Sequence, residues 1–268
     1  MSSFSPARRV VALACAAALI ALSGCGDDTG ETKAAKVKPV LAKEGTITVC
    51  SDIPYEPFES MNGNTPVGFD VDIANEVGKT LDLSLTWVDS DFDAIQNGEL
   101  LNTGACDLVI SAMTITGERA RSLDFSRPYF DATQAMVVPT TSVAASLADM
   151  VEAKIGVQSG TTGELYITDN APTSATVVPL ESVPALTEAL LKGEIDAAVF
   201  DNTVVGSVVK ANAELKVAAE FDTGEQYGLA VKKDGNPALL RAVDETLSRL
   251  RSDGTYDKIF EKWFGKAG

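Results

Sequence analysis

Four places in this chain put polar or aromatic residues where an apolar, strand-like run gives way to a loop. After "TITVC" come Asp52, Tyr55 and Phe58, and after "DLVISA" come Thr114 and Arg119. "AKIGV" leads to Gln158 and the turn Gly160, Thr161, Thr162, while "IDAAVF" is followed at once by Asp201. In open α/β sheets small ligands sit outside the carboxyl ends of the strands. Residues of these types at four such ends suit a cleft that holds a small zwitterion. Other chemistries are poorly provided for. The chain has no histidine, which removes the Ser-His and Cys-His nucleophile systems and the commonest zinc ligand, so neither a metal nor a cofactor is expected. "GKT" at Gly78 to Thr80 is not a phosphate loop, because the glycine needed five residues before Gly78 is Ile73 here.

Each of these residues also has an ordinary reading. Thr116 can cap the helix after its strand, leaving Arg119 as a solvated first-turn charge, and Asp201 can be a strand-end or turn residue. Tyr55, Phe58 and Phe92 can be core aromatics, and Phe58 is assigned to packing under its loop. The complementary charges of Arg119 and Asp201, in different halves of the chain, favour a site.

The elements that must position these residues alternate. "GTITVC" opens the body, and "GFDVDIANEVGKTLDL" follows as a helix with Asp70 as N-cap and Ile73, Val77 and Leu81 on one face. "LSLTWV" reads as a strand, "DFDAIQNGELLNTGA" as helix and loop, and "DLVISA" as a buried strand. The second half repeats the order with "AKIGV", "SGTTGELYITDN", "TVVPL", "SVPALTEALLKGE" and "IDAAVF". Strand and helix in alternation predict an α/β fold, each half a doubly wound, mostly parallel sheet. "TQAMVVP" and "QYGLAVKK" are extended runs suited to crossing between the halves. An amphipathic helix with Leu240, Val243, Leu247 and Leu250 on its face, then the aromatic "TYDKIFEKWFG", closes the chain.

Of 268 residues 38 are acidic and 22 basic, a net charge of −16. Nucleic acid and anionic surfaces both need clustered positive charge and are excluded as partners. Arg8 and Arg9 precede the apolar run Val10 to Leu22, a secretory h-region too short to span a bilayer. It ends in "LSGC", similar to a bacterial lipobox, so residues 1–24 read as a lipoprotein signal peptide and Cys25 as the lipidated residue. The alternative is a plain signal peptide with an incidental cysteine. Residues 25–44 read as a flexible tether. With Cys15 in the signal and Cys25 lipidated, Cys50 and Cys106 remain. In an oxidising compartment they predict one disulfide if the first and third strands are neighbours, the alternative being two separate buried thiols.

The motifs "SDIPYEPFE", "PVGFDVDIANEV", "DLVISAMTITGERARSLDFSRPYF", "IGVQSGTTGE", "IDAAVFD" and "LRSDGTYDKIFEKWFG" occur in order from Gly45 to Gly268. The chain resembles the family 3 extracellular solute-binding proteins of amino-acid ABC transporters. The resemblance implies a two-lobe periplasmic-binding-protein fold of type II with two hinge strands, lobe 1 spanning 45–134 and 230–268 and lobe 2 spanning 135–229. It implies a monomer, not an enzyme, held outside the cytoplasm by its lipid alone and delivering a free amino acid to a permease. By position Arg119 matches the arginine that pairs with the ligand α-carboxylate, with the Thr114 hydroxyl and backbone N–H added and Thr162 reaching the same carboxylate from the second lobe. Asp201 matches the acid that holds the α-ammonium, helped by Ser111 and the Ala112 carbonyl. Tyr55 and Phe92 match aromatic walls. Asp52, with Glu56 near it, leans towards a basic or amide side chain, and Gln158 and Thr161 complete the set. Two other uses of the same fold stand beside this one: a sensing module for a receptor, and a dehydratase-like enzyme.

Overall fold

The computed structural model describes residues 38–266. The expected signal segment with Arg8 and Arg9, the lipobox with Cys25 and the tether up to residue 37 lie outside the described residues. Within the rest of the expected tether the chain is already tied down. Val40 exchanges hydrogen bonds with the Asn236 side chain, and the Ala42 amide donates to Asp107 Oδ1 at 2.7 Å.

The first half comprises β1 (Thr46–Ser51), the small hairpin β2 (Ser60–Asn62) and β3 (Thr65–Val67), α1 (Phe69–Leu81) and β4 (Ser84–Asp89). It continues through α2 (Phe92–Gln96), α3 (Glu99–Thr103), β5 (Leu108–Val109) and β6 (Leu123–Phe125). The second half runs β7 (Phe130–Pro139), β8 (Lys154–Gln158), α4 (Thr162–Asn170), β9 (Thr176–Leu180), α5 (Val183–Lys192), β10 (Ala197–Asp201), α6 (Asn202–Ala211) and β11 (Leu215–Tyr227). The chain then returns through β12 (Ala230–Lys232), α7 (Pro237–Ser252) and α8 (Thr255–Phe264).

Two five-stranded sheets result, ordered β4-β1-β5-β12-β6 and β11-β7-β10-β8-β9. In the first, β12 alone runs against the others; in the second, β7 alone does. The reversed strands are those by which the chain enters the second sheet and re-enters the first. This is the two-lobe α/β architecture. The crossings are shorter than the sequence implies. "TQAMVVP" lies wholly inside β7, paired on both sides by β10 and β11, and the first crossing is residues 126–129. In "QYGLAVKK" only Gly228 and Leu229 separate β11 from β12.

The core follows the apolar periodicity. Ile73 and Val77 of α1 are fully buried, as are Val243 and Leu250 of α7, with Leu247 nearly so. Leu239 is fully buried and Leu240 only partly, so the α7 face begins one residue earlier than expected. Asp70 is not the cap of α1. Gly68 is, at φ 148, with no side-chain cap, and a Cβ there would overlap the Phe58 carbonyl. Asp70 instead points inward and is fully buried. Phe58 is also fully buried, with its ring centroid 5.0 Å from Phe130, 5.4 Å from Tyr227 and 5.4 Å from Phe264. This aromatic cluster ties α8 to the strand ends at both crossings.

Strands β1 and β5 are neighbours, and they carry a disulfide between Cys50 and Cys106 with Cα atoms 5.8 Å apart. It closes a loop of 56 residues that holds α1, β4, α2 and α3. Cross-linking a loop of that length restricts the unfolded chain. The double substitution Cys50→Ala/Cys106→Ala is therefore expected to lower unfolding free energy by about 2–4 kcal/mol, measured by denaturant titration without reductant. An unchanged midpoint would count against that role.

Candidate ligand-binding cleft

The parallel strands set the site. Asp52 follows β1, Ser111 and Ala112 follow β5, Gln158 ends β8, and Asp201 ends β10. Since β1 neighbours β5 and β8 neighbours β10, each sheet offers two adjacent carboxyl ends. They meet around one narrow cavity. Its walls are Asp52, Tyr55, Phe92, Ser111, Ala112, Thr114, Arg119, Gln158, Thr161, Thr162 and Asp201. The structure thus brings together all the residues singled out for a ligand from the sequence. A wider groove lies on the surface of α1 and α8 and involves none of them.

Arg119 is the centre. Thr116 Oγ1 accepts from its amide at 3.1 Å. No helix follows for it to cap, only a single 3-10 turn with Glu118 at its N-cap, and Arg119 itself is 4% exposed instead of solvated. The guanidinium donates to the Thr114 carbonyl at 2.8 Å and, across the cleft, to the Gly160 carbonyl at 2.9 Å. Its Cζ lies 5.2 Å from the centre of the Phe92 ring. Burial lowers its pKa to about 10, opposed by the nearby charges of Asp201 and Glu225, so it stays protonated at neutral pH. Two of its N–H donors are used on carbonyls, and the others remain for a ligand.

A second bridge between the halves runs from Gln158 Nε2 to Asp52 Oδ2 at 2.6 Å. Burial pushes Asp52 up to about 6, with Asp89 and Asp91 adding to the effect and the Gln158 bond opposing it. Asp201 accepts from Gln134 Nε2 and from the Tyr227 hydroxyl. Burial lifts Asp201 to about 6 and Glu225 adds to it, while these donors and Tyr55 pull it back. Thr161 caps α4, its Oγ1 accepting from the Glu164 amide at 3.2 Å.

The threonines differ from expectation. Thr114 and Thr162 both donate their hydroxyls to Glu225 Oε2, each at 2.6 Å. Their protons are committed there, so toward a ligand they offer backbone amides, Thr162 from the first turn of α4. Glu225, Gln134, Glu59 and Asp70 are the residues sequence reasoning missed. Each is a buried polar group. A charged residue inside or beside an apolar run was the available signal, as in "TGEQYGLAV" and "PFESM".

Residues 47–266 match the family model described as bacterial extracellular solute-binding proteins, family 3. The chain belongs to that family. It is 34% identical to a probable histidine-binding protein of Neisseria gonorrhoeae over 96% of this chain and 95% of the relative. It is 36% identical to ABC transporter arginine-binding protein 1 of Escherichia coli (strain K12), over 78% and 87% of the two chains. Among solved structures, an ancestral arginine-binding protein bound to glutamine superposes with a TM-score of 0.78 at 39% identity, covering 84% of this chain and 100% of that one. These relatives of the family 3 protein are named as binding proteins for amino acids.

The buried acids make stability depend on pH. Asp201 has an ordinary value of 3.8 and titrates at about 6 in the folded protein, which therefore holds its proton more tightly than the unfolded chain. Its contribution is full at low pH and is lost as pH rises through about 6, a loss of up to roughly 3 kcal/mol. In Asp201→Asn, the difference in unfolding free energy between about pH 4.5 and about pH 7 should shrink accordingly. Identical pH profiles for the two proteins would contradict the assignment.

Proposed function

We propose that this family 3 protein captures a polar α-amino acid in the cleft and delivers it to an ABC permease. The observation that carries the reading is that Arg119 and Asp201, buried and opposite in charge, line one cavity from two different sheets. An α-amino acid has its carboxylate and ammonium on opposite sides of Cα, so bridging both groups joins the lobes. Arg119 and the first-turn amides of α4 receive the carboxylate. Asp201 receives the ammonium, with Ser111 Oγ and the Ala112 carbonyl as further acceptors. Tyr55 and Phe92 flank the ligand, and Asp52 with Gln158 faces its side chain.

Charge favours a basic side chain. Arg119 against Asp52 and Asp201 leaves the walls one negative charge in excess, which a cationic side chain neutralises and an amide meets through hydrogen bonds alone. That the named relatives bind histidine, arginine or glutamine supports this class. Capture works by population shift: a ligand that touches both lobes stabilises the closed form by its differential affinity for it. The protein acts outside the cytoplasm as a monomer, anchored through a lipid on Cys25, with the residues between Cys25 and the tied-down segment at Val40 as its link. The family's extracellular assignment and the "LSGC" motif support this placement.

A thermal-shift screen of the common amino acids identifies the ligand, since a tight one raises the melting temperature by mass action. With that ligand, Arg119→Ala should weaken binding by ~2–5 kcal/mol, the range for truncating one partner of a buried charge pair, as read by calorimetry. Affinity should also fall as pH drops below about 6, where Asp52 and Asp201 lose their charge. An Arg119→Ala protein of unchanged affinity would sink the reading.

A further inference from the structure

Behind the cleft loop lie two carboxyl groups that the binding reading does not use. Glu59, from the loop after β1, and Asp70, in the first turn of α1, are both fully buried. Glu59 Oε1 accepts from Ser111 Oγ at 3.0 Å. Asp70 Oδ2 accepts from the Ala112 amide and from the Tyr129 hydroxyl, both at 2.8 Å. The other oxygen of each, Glu59 Oε2 and Asp70 Oδ1, is buried with no hydrogen-bond donor among the described residues. Two such oxygens on adjacent acids leave two unsatisfied acceptors, a costly arrangement that a single proton between them resolves.

We propose that Glu59 and Asp70 share one proton, carried on Glu59, and that this acid pair is the positioning element of the ligand loop Ser111–Ala112. Asp70 is the ionised member because it accepts two hydrogen bonds and sits in the first turn of a helix, where negative charge is favoured. Glu59 has one acceptor bond from Ser111 and no other donor, so it keeps the proton. Burial raises both groups, and the contact between them raises Glu59 further while pulling Asp70 back. The other titratable groups facing them are Asp52 at the end of β1, Tyr55 before β2, Tyr129 at the crossing and Tyr256 on α8. All are neutral or negative at neutral pH, so none favours a second charge in the pair.

The consequence reaches the cleft. Because Glu59 takes the Ser111 hydroxyl proton, Ser111 Oγ acts only as an acceptor, and it already accepts from the Asp52 amide at 3.0 Å. Because Asp70 takes the Ala112 amide, it holds that residue at φ 43, a left-handed conformation that alanine rarely adopts. The loop therefore turns acceptors toward the place where the ammonium is proposed to sit, and this part of the inference rests on that reading. Above the pH at which the shared proton leaves, two adjacent anions repel and the loop loses its anchor.

The test begins with the unliganded protein. Carbon-13 spectra of labelled Glu and Asp carboxyls should show the Glu59 carboxyl still protonated at pH 7. Its titration within the ordinary carboxylate range, about pH 4–5, would overturn the shared proton. Two variants then separate a proton-bearing role from mere filling of space. Glu59→Gln supplies the same acceptor to Ser111 and a permanent donor to Asp70. It should bind L-arginine or L-glutamine, whichever the wild type binds, within about threefold of wild type, and lose the affinity decrease above neutral pH. Glu59→Met fills similar space without either bond and should lose at least about tenfold. Equal losses in the two variants, or a pH profile unchanged in Glu59→Gln, would overturn the positioning role. If the wild type binds no amino acid, the proposed function fails, and the carboxyl titration still decides the shared proton.

Discussion

One buried guanidinium organises this molecule. Arg119 is tied to a carbonyl on each side of the cleft, Thr114 in the first half and Gly160 in the second. A charge removed from water is tolerated only when opposite charge and hydrogen bonds replace its hydration. Carbonyl oxygens, the Phe92 face and the fields of Asp201 and Glu225 do this here. The sheets supply those partners because their carboxyl ends converge, and they converge because the chain crosses between them twice in short order. Placing that arginine requires the 3-10 turn whose first amide is held by Thr116, the strand β5 before it and the Gly160 turn before α4.

Carboxylates outnumber that cation around the cleft and are held in graded states. Asp52 and Asp201 are raised to about 6 by burial, yet each is held by donors that favour its charge. Glu225 is bound by Thr114, Thr162, Gln134 and Thr223. Glu59 and Asp70 lie behind the loop with one oxygen each unpaired. In the proposed reading the outer acids receive the cationic groups of a ligand, and the inner ones set the geometry of the loop that receives them. A small polar cavity gains selectivity from such pre-set acceptors, since the wrong ligand leaves them unpaired.

Much of this was legible before any coordinates. Apolar runs marked the strands, and the polar residues just past them marked the cleft, because a strand end in an α/β sheet has only one place to point. The pairing of Cys50 with Cys106 followed from the neighbouring of their strands. What stayed hidden depends on contacts between distant parts of the chain. Asp70 in "GFDVD" resembles a helix cap, and only the approach of Ala112 and Tyr129 shows it facing inward. Glu225 draws no attention in the sequence, and only the threonines of both halves closing on it reveal its place. "TQAMVVP" looks like a connector, yet strands on both sides make it central in a sheet. On α7 it is Leu239 that is fully buried, with Leu240 only partly so, a difference that apolar spacing alone does not reveal.

The central claim is that opposite ends of an amino acid are held by Arg119 and Asp201. A crystal structure of the protein grown with the amino acid that most raises its melting temperature tests this most directly. The account predicts the ligand α-carboxylate within hydrogen-bond distance of the Arg119 guanidinium and the α-ammonium within that distance of Asp201, with the side chain toward Asp52 and Gln158. A ligand bound outside this cavity, or one whose carboxylate leaves Arg119 uncontacted, would contradict it.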